Sequence, residues 1–237
     1  MPDLTVIFGA TGGLGAAVVD AFAKRGDRVI AVARSRSGVS ELAAKYPDIV
    51  TGDAADLTSR QDVDDLWERI DRVGVPRWVV NTTGGFRGGK VVDSTPDDFT
   101  AMMDLNLGTT WWSCRAAARR MASSPSTSGG EQRGGCIVNV SSRSALVAEP
   151  GAAAYAIAKA GVIKLTEVLA AELKSSDVRV NVVVPAIIDT AANRKSLPEK
   201  VLQKAVDPAE IAAVILSLCS DSATAVTGAV VPVYGKF

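Results

Sequence analysis

The 237-residue chain has 26 acidic and 26 basic residues, and hydrophobic residues make up 47% of it. This length and composition fit one α/β domain, and the balanced charge gives no electrostatic basis for binding nucleic acid or an anionic membrane surface. The chain contains no histidine, which excludes Ser-His-Asp hydrolysis and histidine-ligated zinc sites. Proton transfer near neutral pH must then use tyrosine, lysine or a carboxylate.

The cysteines and the apolar runs bear on where the protein resides. Cys114, Cys136 and Cys219 are odd in number and far apart, which argues against a disulfide framework or a zinc site. No apolar run reaches transmembrane length, and the first residues lack the basic start and apolar stretch of a signal peptide. We therefore expect a cytoplasmic protein with no bound metal and no membrane partner.

Apolar strand-like runs alternate with helical stretches, a pattern typical of a parallel sheet with crossover helices. The predicted strands are Leu4–Phe8, Arg28–Ala33, Ile49–Thr51, Trp78–Asn81, Cys136–Val140, Val178–Val183 and Ala229–Val233. The predicted helices are Gly13–Lys24, Ser40–Lys45, Arg60–Val73, Pro96–Ala122, Ala152–Lys174 and Pro208–Cys219. The Ser- and Gly-rich segment Ser123–Gly135 is predicted as a surface loop. Together these features predict an α/β fold with a doubly wound, parallel, seven-stranded sheet of the Rossmann type in a single domain.

The first strand runs into the turn Gly9-Ala10-Thr11-Gly12-Gly13-Leu14-Gly15, and a helix follows. Glycines there allow a tight turn and a close approach to a pyrophosphate, which would face the free N–H groups of the helix. The spacing fits GxxxGxG through Gly9, Gly13 and Gly15, or GxxGxxG through Gly9, Gly12 and Gly15. The position of this turn predicts a dinucleotide site, and an ordinary structural turn is the alternative.

The end of the second strand bears on which dinucleotide binds. An acidic residue there would bind the ribose hydroxyls of NAD, whereas this chain has Ala33 followed by Arg34 and Ser35. The planar fork of Arg34 suits a phosphate group, so the sequence favours NADP (NADPH) over NAD. The alternative is that Arg34 and Arg36 are ordinary solvated charges.

Tyr155 and Lys159 lie four residues apart in a predicted helix and so share one of its faces. A neighbouring ammonium is expected to lower the pKa of the tyrosine from its reference value of about 10. With Ser142 upstream, at the end of the fifth strand, the chain resembles the short-chain dehydrogenase/reductase superfamily from Leu4 almost to its C-terminus. The resemblance implies that Ser142 holds a substrate carbonyl and that Tyr155 donates a proton. It also implies that Lys159 assists the tyrosine and binds the nicotinamide ribose.

Other segments extend this resemblance. Asn106 matches the asparagine that completes the catalytic tetrad through a water relay, and the pair Asp56-Leu57 matches residues placed against the adenine. Asn81-Thr82-Thr83-Gly84 is similar to the family's Asn-Asn-Ala-Gly, which supports the central sheet beside the cofactor. In Pro185-Ala186-Ile187-Ile188-Asp189-Thr190, similar to Pro-Gly-x-x-x-Thr, the resemblance implies that Pro185, Ile188 and Thr190 hold the nicotinamide carboxamide.

The resemblance also implies an assembly and a small-molecule carbonyl substrate. A homodimer or homotetramer is expected, with Pro96–Ala122 and Ala152–Lys174 at its interface, although their apolar residues could equally belong to the core of one chain. Asn193–Ala205 begins with polar residues and contains the helix-breaking Pro198, so it is predicted as a mobile helical lid over the substrate.

Two segments are similar to dihydropteridine reductase: Gly84-Gly85-Phe86-Arg87-Gly88-Gly89, and the stretch from Thr190 to Pro198. That relative typically has an acidic residue that selects NADH and lacks the active-site serine, whereas this chain has Arg34 and Ser142. Reduction of a ketone or a 3-oxoacyl group is therefore the first hypothesis, and pteridine reduction is the second. A non-catalytic NADP-binding sensor or scaffold is the alternative from another class.

Overall fold

The computed structural model describes residues 2–123 and 134–236. In this part of the chain, seven strands form one sheet in the order β3-β2-β1-β4-β5-β6-β7, and every neighbouring pair is parallel. The strands are β1 (Leu4–Phe8), β2 (Arg28–Ala33), β3 (Val50–Ala54), β4 (Trp78–Asn81), β5 (Cys136–Val140), β6 (Arg179–Pro185) and β7 (Val230–Val233). The predicted doubly wound parallel fold is confirmed. Its strand order reverses between β1 and β4, where such sheets bind ligands at the carboxyl ends of the strands.

Helices cover both faces of the sheet. They are α1 (Gly13–Arg25), α2 (Arg36–Ala43), α3 (Arg60–Asp71), α4 (Pro96–Met103), α5 (Thr109–Ser123), α6 (Ala153–Glu172), α7 (Ala191–Ser196), α8 (Glu199–Leu202) and α9 (Pro208–Leu218). The sequence of strand β1 is apolar because both of its faces are covered by helices. Val6 and Phe8 pack with α3 and α5, whereas Ile7 packs with α1 and α9 on the opposite face.

The second helix and the third strand differ from their predicted bounds. Helix α2 begins well before the predicted Ser40, because the side chain of Ser35 accepts a hydrogen bond from the Gly38 N–H and caps the first turn. Strand β3 continues past the predicted Thr51, because Gly52 allows α2 to pack directly on it. A Cβ on Gly52 would lie 2.7 Å from the carbonyl oxygen of Val39.

A buried polar network joins β4 and β5 to the helices above them. The Asn81 amide donates to Asn139 Oδ1 at 2.7 Å, and the Asn139 amide donates to the Thr166 hydroxyl at 2.9 Å. Ser113 completes the network by donating to Asn81 Oδ1 at 2.6 Å. These bonds satisfy the buried side-chain amides of Asn81 and Asn139. Asn81 therefore links β4 to β5 close to the glycine turn.

The remaining segments are described as far as the structure permits. Most of the predicted loop Ser123–Gly135 lies outside the described residues. The predicted lid consists of two short helices, α7 and α8, separated at Leu197 and Pro198, and its mobility stays a prediction. In residues 2–123 and 134–236, no helix combines the length and apolar character needed to cross a bilayer.

Candidate active site

The glycine turn after β1 is crowded at three of its glycines. Gly9 has a φ of +77°, in the left-handed region, and a Cβ there would lie 2.7 Å from the Thr83 nitrogen. A Cβ on Gly15 would lie 2.1 Å from the Gly9 carbonyl oxygen, and one on Gly13 would lie 2.6 Å from Thr190 Cγ2. The same construction at Gly12 meets nothing closer than 3.3 Å. Contacts therefore require glycine in the GxxxGxG spacing of Gly9, Gly13 and Gly15.

The N-terminus of α1 is arranged to receive an anion. Its N-cap residue, Gly12, supplies no side-chain hydrogen bond, and the first turn of the helix contains no acidic residue. The early N–H groups and the positive end of the helix dipole are therefore left for a ligand at the mouth of the turn.

A cavity of about 270 Å³ opens beside this turn, between the ends of β1, β2 and β4. It contains many of the predicted cofactor-binding residues: Gly9, Thr11, Gly12, Arg34, Ser35, Asp56, Leu57, Thr82, Thr83 and Gly84. Within the described chain, the buried Thr83 hydroxyl has no hydrogen-bond partner. An unsatisfied hydroxyl in a glycine-rich cavity fits a polar ligand such as a dinucleotide.

The far side of this cavity carries charge. Arg34 is exposed, and among the described residues no carboxylate forms an ion pair with it. Asp56 is held by Thr58, whose hydroxyl donates at 2.7 Å and whose N–H donates at 2.9 Å. These hydrogen bonds, with a smaller contribution from the Arg34 charge, hold the pKa of Asp56 below its usual value.

Helix α6 carries Tyr155 and Lys159 on the face toward the ends of β4 and β5. Lys159 is buried, and its Nζ donates to the Val140 carbonyl oxygen at 3.0 Å. The same Nζ lies 5.9 Å from the centroid of the Tyr155 ring. Burial lowers the pKa of Lys159 to about 8, so the amine is mostly protonated at neutral pH.

The expected lowering of the Tyr155 pKa is wrong for this structure. Burial raises the pKa of Tyr155 above its usual value, the Glu149 carboxylate adds to the rise, and a hydrogen bond with Ser142 opposes it. The Lys159 ammonium donates to the Val140 carbonyl rather than to the phenolic oxygen, so burial decides the direction. Tyr155 is therefore a protonated phenol at neutral pH, the state that a proton donor needs.

Asn106 lies in a π-turn that the sequence did not predict. The predicted helix Pro96–Ala122 is divided by this turn, Asp104–Gly108, into α4 and α5. A π-turn disrupts the usual hydrogen bonds from backbone N–H groups to the carbonyls four residues earlier. Here side-chain donors bond several of these carbonyls instead. The Asn106 amide donates to the Met102 carbonyl at 3.1 Å, and the Thr109 and Thr110 hydroxyls donate to carbonyls one turn earlier.

The side chain of Asn106 also holds the loop after β4. Its amide donates to the Gly85 carbonyl oxygen at 3.0 Å, and its Oδ1 accepts from the Gly85 N–H at 3.2 Å. Gly84 makes the convergence possible, since a Cβ there would lie 2.8 Å from Asn106 Oδ1 and 3.1 Å from Lys159 Nζ. The structure thus brings the side chains of Asn106 and Lys159 together beside Gly84. The water relay through Asn106 stays a prediction.

The segment after β6 reaches the glycine turn from the other side. Thr190 contacts Gly13 and caps α7, because its hydroxyl accepts from the Asn193 N–H at 3.2 Å. The Asn193 amide donates to the Ile188 carbonyl at 2.8 Å, which fixes the turn that follows Pro185 at the end of β6. Three distant segments of the chain therefore surround one site.

Two features near the site were not predicted from the sequence. Phe86 is 65% exposed and lies edge-on to Tyr155, with ring centroids 5.2 Å apart. Ser144 and Glu149 form a hydrogen-bonded pair beside Ser142, with the Ser144 hydroxyl 2.7 Å from the carboxylate. Phe86 could have been identified from the sequence, because it is an aromatic residue within a glycine-rich segment. The pairing of Ser144 with Glu149 could not, because it depends on the conformation of the loop.

Comparison with known proteins identifies the family. The family described as enoyl-(acyl carrier protein) reductase matches residues 9–235. The 3-oxoacyl-[acyl-carrier-protein] reductase FabG of Thermotoga maritima is 33% identical over 97% of this chain and 95% of its own length. The human 3-oxoacyl-[acyl-carrier-protein] reductase is 30% identical over 86% of this chain and 83% of its own length.

A solved structure agrees with these sequence matches. The crystal structure of an oxidoreductase of the short chain dehydrogenase/reductase family from Burkholderia thailandensis superposes with a TM-score of 0.86 and 31% identity. The match covers 99% of this chain and 92% of that one. The chain therefore belongs to the short-chain dehydrogenase/reductase family and is an oxidoreductase that acts on CH–OH or C=O groups with NAD(P).

Proposed function

We propose that this protein uses NADPH to reduce the carbonyl of a ketone or 3-oxoacyl substrate to an alcohol. The observation that carries the proposal is the position of Tyr155 beside Lys159 and Ser142: Lys159 Nζ lies 5.9 Å from the centroid of its ring, and a hydrogen bond with Ser142 acts on its phenol. A protonated phenol beside a second hydroxyl can supply both a proton and a hydrogen bond to one substrate oxygen. The names of several 3-oxoacyl reductases among its relatives support the same direction.

In the proposed mechanism, a bound reduced nicotinamide would supply the hydride. The substrate oxygen gains negative charge as its carbon accepts the hydride, and Tyr155 transfers its phenolic proton to that oxygen. Ser142 orients the oxygen by a hydrogen bond, and the buried ammonium of Lys159 favours the negative charge that passes to the tyrosine. Asn106 holds the loop at Gly85, which keeps Lys159 and the site floor in place.

The proposed cofactor is NADP rather than NAD. The 2′-phosphate would meet the exposed guanidinium of Arg34 and the N-terminus of α2, which Ser35 caps. The pyrophosphate would lie on the N-terminus of α1, and the Thr83 hydroxyl would donate to the bound cofactor. Pro185, Ile188 and Thr190 would hold the carboxamide, and Asp56 and Leu57 would border the adenine.

Pteridine reduction is the second candidate, and the position of Phe86 favours it. An exposed aromatic ring beside Tyr155 is a surface on which a flat heterocycle can stack. The test is NADPH oxidation with acetoacetyl-coenzyme A, simple ketones and a quinonoid dihydropterin. Turnover of oxoacyl compounds or ketones supports the proposal, turnover of the pterin alone supports the second candidate, and cofactor binding without any turnover supports a sensor.

We further propose a homodimer or homotetramer formed through α5 and α6. A cavity of about 640 Å³ lies between these helices, with Trp111, Arg115, Lys164 and Val168 among its lining residues. Trp111 is 48% exposed and Val168 is 45% exposed, so this face presents apolar surface that a second copy would cover.

In the proposal the protein is cytoplasmic, where its three free cysteines, all of them buried, stay reduced.

A further inference from the structure

Phe86 is an exposed aromatic residue in contact with the proposed proton donor. It is 65% exposed, and its ring lies edge-on to that of Tyr155, with the centroids 5.2 Å apart and the planes at 87°. Two perpendicular rings at this distance form a corner, and the larger part of Phe86 faces solvent. Apolar surface left in water is unfavourable, and burial against a ligand would remove that cost.

Hydrogen bonds fix the loop on both sides of Phe86. On one side, the Asn106 side chain donates to the Gly85 carbonyl oxygen at 3.0 Å and accepts from the Gly85 N–H at 3.2 Å. On the other side, the Gly89 N–H donates to the Gly151 carbonyl oxygen at 2.8 Å. The exposure of Phe86 is therefore not the result of a loosely held loop.

The ring of Phe86 is itself supported by two neighbours. A Cβ on Gly88 would lie 3.2 Å from Phe86 Cζ and 3.3 Å from Cε1, so the loop backbone lies against the ring. Tyr155 makes the second contact. Arg87, the next residue, is ion-paired with Asp98 on α4 at 2.9 Å, so the charge beside the ring has a partner. The result is an apolar surface already in position, which loses little entropy when a ligand binds.

The proposed chemistry brings the substrate to this surface. A carbonyl oxygen that takes the proton of Tyr155 must lie beside its hydroxyl, and the groups on the carbonyl carbon then extend along neighbouring surfaces. A flat conjugated ring presents a face and an edge, which match the two perpendicular rings of Phe86 and Tyr155. A saturated chain or a puckered ring gains the apolar burial but not the contact between aromatic rings.

We propose that Phe86 is a specificity-determining residue that selects substrates whose reducible bond is conjugated with a flat ring. The inference rests on the proposed function, because Tyr155 places the reacting group. Among ketones, it favours aryl ketones over those with saturated substituents. Pterins share the chemistry of a flat conjugated ring, and the experiment separates the two sources.

The first test compares two methyl ketones that differ in flatness. Acetophenone has a flat ring and cyclohexyl methyl ketone has a puckered ring on the same carbon skeleton, and NADPH oxidation gives kcat/KM for each. The ratio of the two values should fall about 2- to 13-fold in Phe86→Leu, the contribution of one aromatic pair. The intrinsic reactivities of the ketones cancel when this ratio is compared between variant and wild type.

Two further variants control for the substitution itself. Phe86→Tyr keeps the aromatic ring and should keep the wild-type ratio. Phe99→Leu makes the same change at another exposed phenylalanine, on α4, and should also leave the ratio unchanged.

The second test measures binding and does not require turnover. Saturation-transfer NMR gives the Kd of each ketone for the protein with NADP⁺, the oxidised cofactor, which has no hydride to transfer. Phe86→Leu should weaken the binding of acetophenone by about the same factor and change that of cyclohexyl methyl ketone little, because leucine keeps the apolar contact.

The outcomes separate this inference from the proposed function. If Phe86→Leu leaves the ratio of the two Kd values or the ratio of the two kcat/KM values unchanged, the specificity role is overturned. If the wild type reduces neither ketone but binds acetophenone through Phe86, the proposed function fails and the site for a flat ring is retained. Turnover of a quinonoid dihydropterin that falls in Phe86→Leu and not in Phe99→Leu supports the inference with a pterin as the source of the ring.

Discussion

Thr190 packs directly against Gly13, and its side chain leaves no room for a Cβ at that position. A Cβ on Gly13 would be 2.6 Å from Thr190 Cγ2 and 2.9 Å from Thr190 Cβ. The contact joins the glycine turn after β1 to the segment after β6, two parts of the proposed cofactor site that are far apart in sequence. The segments that we propose hold the pyrophosphate and the carboxamide therefore both depend on this one close approach.

Gly13→Ala should weaken NADPH binding because the added methyl pushes Thr190 and its segment outward. Overpacking of this kind costs about 1–3 kcal/mol, or roughly 5- to 150-fold in affinity. Thr190→Ser removes the nearer methyl and keeps the hydroxyl that caps α7, so the double variant should recover part of the loss. Fluorescence titration with NADPH measures both, and a double variant no better than Gly13→Ala would contradict the contact argument.

Arg34→Ala should reduce the affinity for NADPH and leave that for NADH nearly unchanged. One charge-assisted hydrogen bond to a phosphate contributes about 1.5–3 kcal/mol, which corresponds to roughly 10- to 150-fold. Arg28→Ala is the control, because Arg28 is an exposed arginine at the other end of the same strand. Equal losses for the two cofactors, or a wild type that prefers NADH, would disprove the assignment.

Lys159 should make the stability of the protein depend on pH. Its pKa is lowered from 10.5 to about 8 in the folded protein, so between these values the unfolded chain binds more protons than the folded one. The free energy of unfolding should therefore rise with pH across this window, by on the order of 1–3 kcal/mol. Lys159→Met should remove the rise, whereas Lys164→Met, at an exposed lysine, should keep it. Denaturant unfolding at several pH values measures the slopes, and equal slopes in all three proteins would refute the prediction.

Trp111→Glu should dissociate the proposed assembly. A charge placed on the exposed apolar face of α5 and α6 would have to be buried at the interface, which is strongly unfavourable without a partner. Val73→Glu is the control, since Val73 is 41% exposed and follows α3, away from that face. Light scattering with size-exclusion chromatography gives the mass of each. A wild-type monomer, or a variant that keeps the wild-type mass, would rule out this interface.

Much of the fold could be predicted because strands buried on both faces are continuous apolar runs. Strands β1, β2, β4 and β5 have their predicted bounds for that reason. The π-turn around Asn106 could not be predicted, since the helical pattern of Pro96–Ala122 continues through it with only a small phase shift. The start of α2 was missed because it depends on a capping bond to Ser35.

The candidate site shows the same division. The glycine turn and the pair Tyr155 and Lys159 were predicted from local motifs, and the role of Ser142 from the family resemblance. The direction of the Tyr155 pKa shift was not, because it depends on burial that arises only when α6 packs beside β5. The crowding that selects Gly13 over Gly12 also required the position of Thr190.

The activity of Tyr155→Phe, measured as kcat for NADPH-dependent reduction of the best ketone or oxoacyl substrate, tests the central claim most directly. The substitution keeps the ring beside Phe86 and removes only the hydroxyl that we propose as the proton donor. Loss of a general acid typically lowers the rate about 10²- to 10⁴-fold, and we expect a fall of that order with NADPH affinity close to wild type. A variant that retains nearly full activity would contradict the mechanism.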